Sequence, residues 1–265
     1  MALTSLQLEH RGAVAVVTFD RPDSANSVDL AFTSDLVAVA DSCNNDPTVR
    51  AVLLTGAGRN FCFGGDLRAM AARREVRGEY LTELTQQLHA GIRAFTTLSV
   101  PVIVAANGTT AGAGVGLMAM ADLAYCGTSS RLRLAYTGVG LTPDAGASFW
   151  LPRTVGYKRA MELLLLNRTL SAGEMLDWGL VNGIFEDASL VGQSLAIAEQ
   201  LASGPTRAFG KTKQLVAHAL RELEAQLARE GQTIANQGAS AEGQEGISAF
   251  LEKRQPKYSL SDPRG

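Results

Sequence analysis

The residues best placed to do chemistry are backbone groups. The stretch NGTTAGAGVGLMAMAD, residues 107–122, follows the apolar run PVIVAA and reads as a strand, a glycine loop and a helix. A dinucleotide fingerprint needs G-x-G-x-x-G, and here Gly112 and Gly114 fit but the third position is Leu117. A phosphate loop of the Walker type needs Lys and Ser or Thr after its last glycine, where this chain has Leu117, Met118 and Ala119. What remains is a helix start whose unpartnered N–H groups suit an anion or a developing negative charge. A second glycine loop, GAGRNFCFGGDLRAM, also follows an apolar strand, AVLLT. Either loop alone reads as a tight turn, but two at corresponding strand ends place N–H donors around one point, the requirement of an oxyanion hole.

The elements that must hold these loops follow from periodicity. LQLEHR and GAVAVVTFD read as a hairpin turning at Gly12. RPDSANS is a loop, with Ser27 expected to cap a helix starting near Val28, VDLAFTSDLVAVADSCNN. Strands VRAVLLTG, VPVIVAAN and LAYC alternate with helical stretches, the rhythm of an α/β core with parallel strands. AARREVRGEY, polar and interrupted by Gly78, is expected to be an exposed connection. Beyond it Leu81, Leu84, Leu88, Ile92 and Phe95 form one helical face, and His89 falls at the margin between core and solvent. Ser171 to Glu174 is a capping box, and Gly179 a helix stop. Phe149, Trp150 and Trp178 read as packing residues. The chain divides into a core, 1–204, and a helical region, 205–265, which either folds back on the core or builds an oligomer.

Composition narrows the function. In 265 residues, 46% are hydrophobic and 19% charged, the profile of an ordinary globular chain with a sizeable core. A net charge of −2 gives no general attraction to nucleic acid or to an acidic membrane. Cys43, Cys62 and Cys126 lack C-x-x-C spacing, so neither a disulfide framework nor a metal site is expected, and the compartment expected is the reducing cytoplasm. Residues 94–121 carry no charge, but Pro101, Asn107 and the glycines mark a buried strand and helix, not a membrane span.

RPDSANS, GAGRNFCFGGDL, VPVIVAANGTTAGAGVGL, LTPDAGASFWLPRTVG, LSAGEMLDWGLVNGIF and FLEKR, in this order over nearly the whole chain, resemble the enoyl-CoA hydratase/isomerase superfamily, the crotonase family. The resemblance implies a spiral of ββα turns with a C-terminal helical trimerisation region, assembled as a homotrimer or hexamer. It implies an acyl-CoA thioester substrate, with coenzyme A carried as part of the substrate and no separate cofactor. The donors to the thioester oxygen would be the N–H groups of Gly65 and Ala113, the latter on a helix whose dipole faces the enolate. Arg21, Ser24 and Asn26, then Gly64, Asp66, Leu67 and Arg68, would lie along coenzyme A, and Lys253 and Arg254 would reach a phosphate of the same or a neighbouring subunit.

Departures from the family point to the reaction. The two glutamates with which family hydratases activate water are replaced by Gly116 and Tyr136. Asp144 stands where relatives that shift double bonds or rings carry an aspartate acid/base. It also matches the nucleophile of 4-chlorobenzoyl-CoA dehalogenase, whose histidine base corresponds to His89 and whose aspartate-binding tryptophan corresponds to Tyr136. The resemblance thus implies an isomerase, with the dehalogenase as alternative and a non-catalytic acyl-CoA-binding scaffold as a third reading.

Overall fold

A computed structural model describes residues 3–219 and 223–257. The chain opens with the hairpin β1 (Leu6–Arg11) and β2 (Val14–Phe19), then helix α1 (Leu30–Asn45). Next come β3 (Ala51–Gly56), β4 (Asn60–Cys62), α2 (Leu67–Ala71) and α3 (Arg77–Thr97). The pattern recurs as β5 (Val102–Ala106), β6 (Thr109–Ala111) and α4 (Ala113–Ala119). β7 (Leu123–Gly127) and β8 (Arg131–Arg133) lead into α5 (Ala147–Thr154), α6 (Tyr157–Leu166), β9 (Leu170–Ser171), α7 (Ala172–Asp177) and β10 (Gly183–Phe185). Four helices close the described chain: α8 (Leu190–Ser203), α9 (Thr206–Ala219), α10 (Leu223–Ala239) and α11 (Ala241–Leu251).

Each successive turn donates one strand to each of two sheets. The larger sheet runs β1-β2-β3-β5-β7-β10 and is parallel apart from the opening hairpin; the smaller runs β4-β6-β8-β9. This is the expected α/β spiral. Period-two alternation divides the long strands: Val52, Leu54, Val102 and Val104 join the core under α1 and α3, while Ala51, Leu53, Ile103 and Ala105 pack against Leu190, Ala198 and Ala202 of α8. Burial on both faces is why these strands read as continuous apolar runs.

The expected helical face of α3 is buried at Leu81, Leu84, Leu88, Ile92 and Phe95, and Phe149 is buried as expected. Two local expectations are corrected. Asp29, not Ser27, caps α1 by accepting from the Phe32 amide, because Ser27 donates its hydroxyl to Ser24 O within the loop. AARREVRGEY is not an exposed connection throughout: α3 starts at Arg77, whose guanidinium is buried against Met70 O and Gly238 O. Gly78 lies inside α3 because α10 crosses there; a Cβ on it would stand 3.3 Å from that of Ala239. α10 therefore folds back on α3 of its own chain, the first of the two uses expected for the helical region.

The capping box at Ser171 and Glu174 is present in full. Ser171→Ala is expected to lower the unfolding free energy by about 1 kcal/mol, measured by urea denaturation.

Candidate active site

β4 and β6 are parallel neighbours, so the glycine loops that follow them run side by side. Gly64 has φ of +83°, and a Cβ on it would stand 3.1 Å from Ala113 N. The loops thus meet backbone to backbone, which only glycine permits at this position. On either side of Gly65, Gly64 O accepts from Val28 N and Asp66 N donates to Val28 O. Among the described residues neither Gly65 N nor Ala113 N has an acceptor, and Ala113 opens α4, where no intrahelical partner exists. Both residues line a cavity of about 820 Å³, together with Asp144.

Asp144 lies in a turn continued by Ala145 and Gly146 with φ of +58° and +77°. That turn is pressed onto α4: a Cβ at Gly116 would stand 2.1 Å from Ala145 O. Gly116 therefore marks more than a missing acid, since the backbone fills the space that any side chain there would take. The carboxylate of Asp144 is buried, and its Oδ1 is 2.7 Å from His89 Nε2. Its other oxygen receives no hydrogen bond from a described residue. His89 is only 4% exposed, which corrects its expected place at the margin between core and solvent. α10 covers that side of α3; a Cβ on Gly231 would lie 3.3 Å from His89 Cε1. Tyr136 donates its hydroxyl to the backbone oxygen of Asp144 at 3.2 Å, bracing the turn without touching the carboxylate. Burial, with Asp144 and Glu230 nearby, raises Tyr136 well above the usual phenol range, so it stays a donor.

Glu230 of α10 escaped the sequence reading. The signal was there: Leu227, Glu230 and Ile234 share one helical stripe, and all three are buried. Glu230 Oε2 accepts from Gly146 N, and Oε1 accepts from Ser148 N at 3.0 Å and from the Ser148 hydroxyl. Desolvation pushes its carboxyl up to about 7, against the pull of the Ser148 hydroxyl and with a push from Asp144. Oxygen and nitrogen atoms of His89, Asp144 and Glu230 lie within 4.8 Å of one another. The set is ill suited to a metal ion, because His89 and Asp144 face each other and both Glu230 oxygens already accept N–H groups.

The residues expected along coenzyme A divide into two groups. Ser24, Asp66, Leu67, Arg68 and Lys253 line the same cavity, whereas Gly64 packs behind Gly112 and Ala113, which line it. Arg21 is instead bound to Asp29 at 2.8 Å and Asp66 at 3.6 Å, and donates to Ser27 O. Asn26 is fully buried, accepts from Arg21 N and donates to Ala57 O and Asn60 O, which leaves it no group for a ligand. Arg254 is held by Glu245 and Glu252 and does not line the cavity. Arg131 and Arg133, which the sequence reading passed over, do line it. Their alternation in RLR puts both on one face of β8, which was their legible signal.

Residues 9–260 match the family model described as enoyl-CoA hydratase/isomerase. The chain is 36% identical to a probable enoyl-CoA hydratase of Rhodobacter capsulatus over 98% of its length and 99% of that protein. It is 35% identical to 1,2-epoxyphenylacetyl-CoA isomerase of Escherichia coli, covering 93% of the chain and 95% of that protein. Against 4-chlorobenzoyl coenzyme A dehalogenase-2 of Arthrobacter it is 35% identical over 80% of the chain and 77% of that protein. The fold is similar to that of an enoyl-CoA hydratase from Mycobacterium avium subsp. paratuberculosis, with a TM-score of 0.89 and 31% identity over 97% of this chain and 100% of that one.

Asn26→Ala should destabilise the fold by about 2–4 kcal/mol in urea denaturation, because it removes three hydrogen bonds from partly buried backbone groups.

Proposed function

The chain belongs to the enoyl-CoA hydratase/isomerase family, and on that premise we propose that it is an acyl-CoA isomerase with Asp144 as its single acid/base. The observation that carries the reading is Asp144, paired with His89, in the cavity that also holds the two unspent amides of Gly65 and Ala113. The thioester oxygen accepts from both N–H groups, each worth roughly 3 kcal/mol to the developing enolate. Asp144 takes a proton from the carbon next to the carbonyl, the electron pair moves into the enolate, and the same carboxyl returns the proton further along the chain. No atom is gained or lost. His89 holds Oδ1 and so aims the other oxygen at the substrate.

Hydration fits the site less well. One glutamate position is Gly116, filled by the Asp144 turn, and Glu230 faces backbone amides outside the cavity lining. Coenzyme A enters as part of the substrate, with Ser24, Arg68 and Lys253 at the cavity wall to meet its polar portion. The exposed Leu165, Leu166 and Leu215 provide apolar surface for the proposed homotrimer or hexamer. Among the described residues no helix is long and apolar enough to cross a membrane, consistent with the proposed cytoplasmic location.

The buried His89–Asp144 contact favours a second reading, hydrolytic dehalogenation of an aryl-CoA. There the carboxylate bonds to the ring carbon, chloride leaves, and His89 takes the proton of the water that cleaves the resulting ester.

With 3-enoyl-CoA or ring-epoxide acyl-CoA substrates, chromatography coupled to mass spectrometry should show a separate product of unchanged mass. Asp144→Asn should slow it by about 10²-fold or more, and undiminished turnover would overturn the assigned role. Under the second reading, 4-chlorobenzoyl-CoA releases chloride, and His89→Gln accumulates a covalent aryl-enzyme detectable by intact-protein mass; absence of both rejects it.

A further inference from the structure

The N-terminus of α5 poses a problem that its own sequence leaves unsolved. Its N-cap is Gly146, which has no side chain to cap the first amides. Glu230, 84 residues further on, supplies the cap: its two oxygens take the amides of Gly146 and Ser148. Gln226, one helical turn before it, donates to the Ser148 hydroxyl, which in turn donates to Glu230. The residues so fixed begin two positions after Asp144, and Ala147 N donates to Asp144 O. Simple capping would be served by an exposed serine or aspartate. Here a carboxyl is buried within 4.8 Å of another carboxyl and an imidazole, an expensive arrangement for structure alone.

We propose that Glu230 is a positioning residue for Asp144: by holding the amides of Gly146 and Ser148 it pins the turn that carries the carboxylate. This rests on the acid/base role of Asp144 proposed above. The ionisable groups facing Glu230 are Asp144 in the turn, His89 from α3 and Tyr136 after β8, while Arg229 on its own helix is exposed. An ionised Glu230 accepts more strongly from the Gly146 and Ser148 amides than a neutral one does. Since the Glu230 carboxyl is pushed up to about 7, its ionisation falls near neutral pH. As the pH rises through that region the grip on the turn tightens, and Asp144 is held more firmly toward the substrate.

The test compares the full-length enzyme with Glu230→Gln, using kcat and KM for an isomerised acyl-CoA against pH and, without substrate, the backbone amide resonance of Gly146 against pH. In the parent, kcat/KM should climb through about pH 7 and the Gly146 amide should move with it. In Glu230→Gln both curves should be displaced, kcat should fall roughly tenfold or more, and KM should stay within about threefold. Glu230→Asp, which keeps the charge, should restore part of the pH response. Should Glu230→Gln not fold, Ser148→Ala weakens the same carboxylate by one donor and must displace the same curves. Superimposable Gly146 amide curves and rate profiles in parent and variant overturn the proposal. Asp144→Asn run in parallel separates the two ideas: a dead Asp144→Asn beside an unaltered Glu230→Gln profile removes only the role of Glu230, whereas an active Asp144→Asn removes the reading on which it rests.

Discussion

A carboxylate taken out of water must be given partners or it will not stay charged, and the interior of this protein is arranged around that constraint at Asp144. His89 supplies one partner at 2.7 Å, from the middle of a helix that α1 and α10 enclose. The turn bearing Asp144 is held by the Tyr136 hydroxyl on its backbone oxygen and by Glu230 on the amides that follow. It rests on the bare backbone at Gly116, so three distant parts of the chain must be in place before the carboxylate is where it is. The closeness of the Ala145 backbone leaves no room for a side chain at Gly116.

The two amides are set by a simpler device. Parallel pairing of the short strands β4 and β6 brings their following loops into contact, and glycine at position 64 lets backbone approach backbone. Neither loop needs to fold toward a ligand. The donors are fixed by strands of the smaller sheet that follow β3 and β5 of the larger one after only a few residues, so their positions inherit the stiffness of the core.

Much of this was legible in the sequence, for reasons that differ by element. The long parallel strands announce themselves as apolar runs because both faces are buried, and the Ser171 capping box carries its own local chemistry. The smaller sheet was not legible: its strands are two or three residues long, and Asn60 pairs with Thr109, far away in the chain. The burial of His89 was missed because a single helix reveals its own apolar stripe but not a second helix laid over its flank. Glu230 belongs to that covering helix, and its meaning depends on a contact 84 residues back. Asn26 and Arg21, assigned by resemblance to coenzyme A, are internal braces because the loop must be tied to β4 before it can form a wall. Residues that shape a site and residues that touch its ligand share motifs, and sequence alone does not separate them.

The borrowed cap of α5 also bears on the life of the chain before it is finished. During synthesis both sheets, both glycine loops and α3 leave the ribosome well ahead of α10, so the nascent protein can assemble its amides early. The turn at Asp144 cannot lock until Glu230 arrives. The polypeptide from α10 onward thus completes work begun far upstream: a fragment cut short before α10 would lack the carboxylate that caps the amides of Gly146 and Ser148.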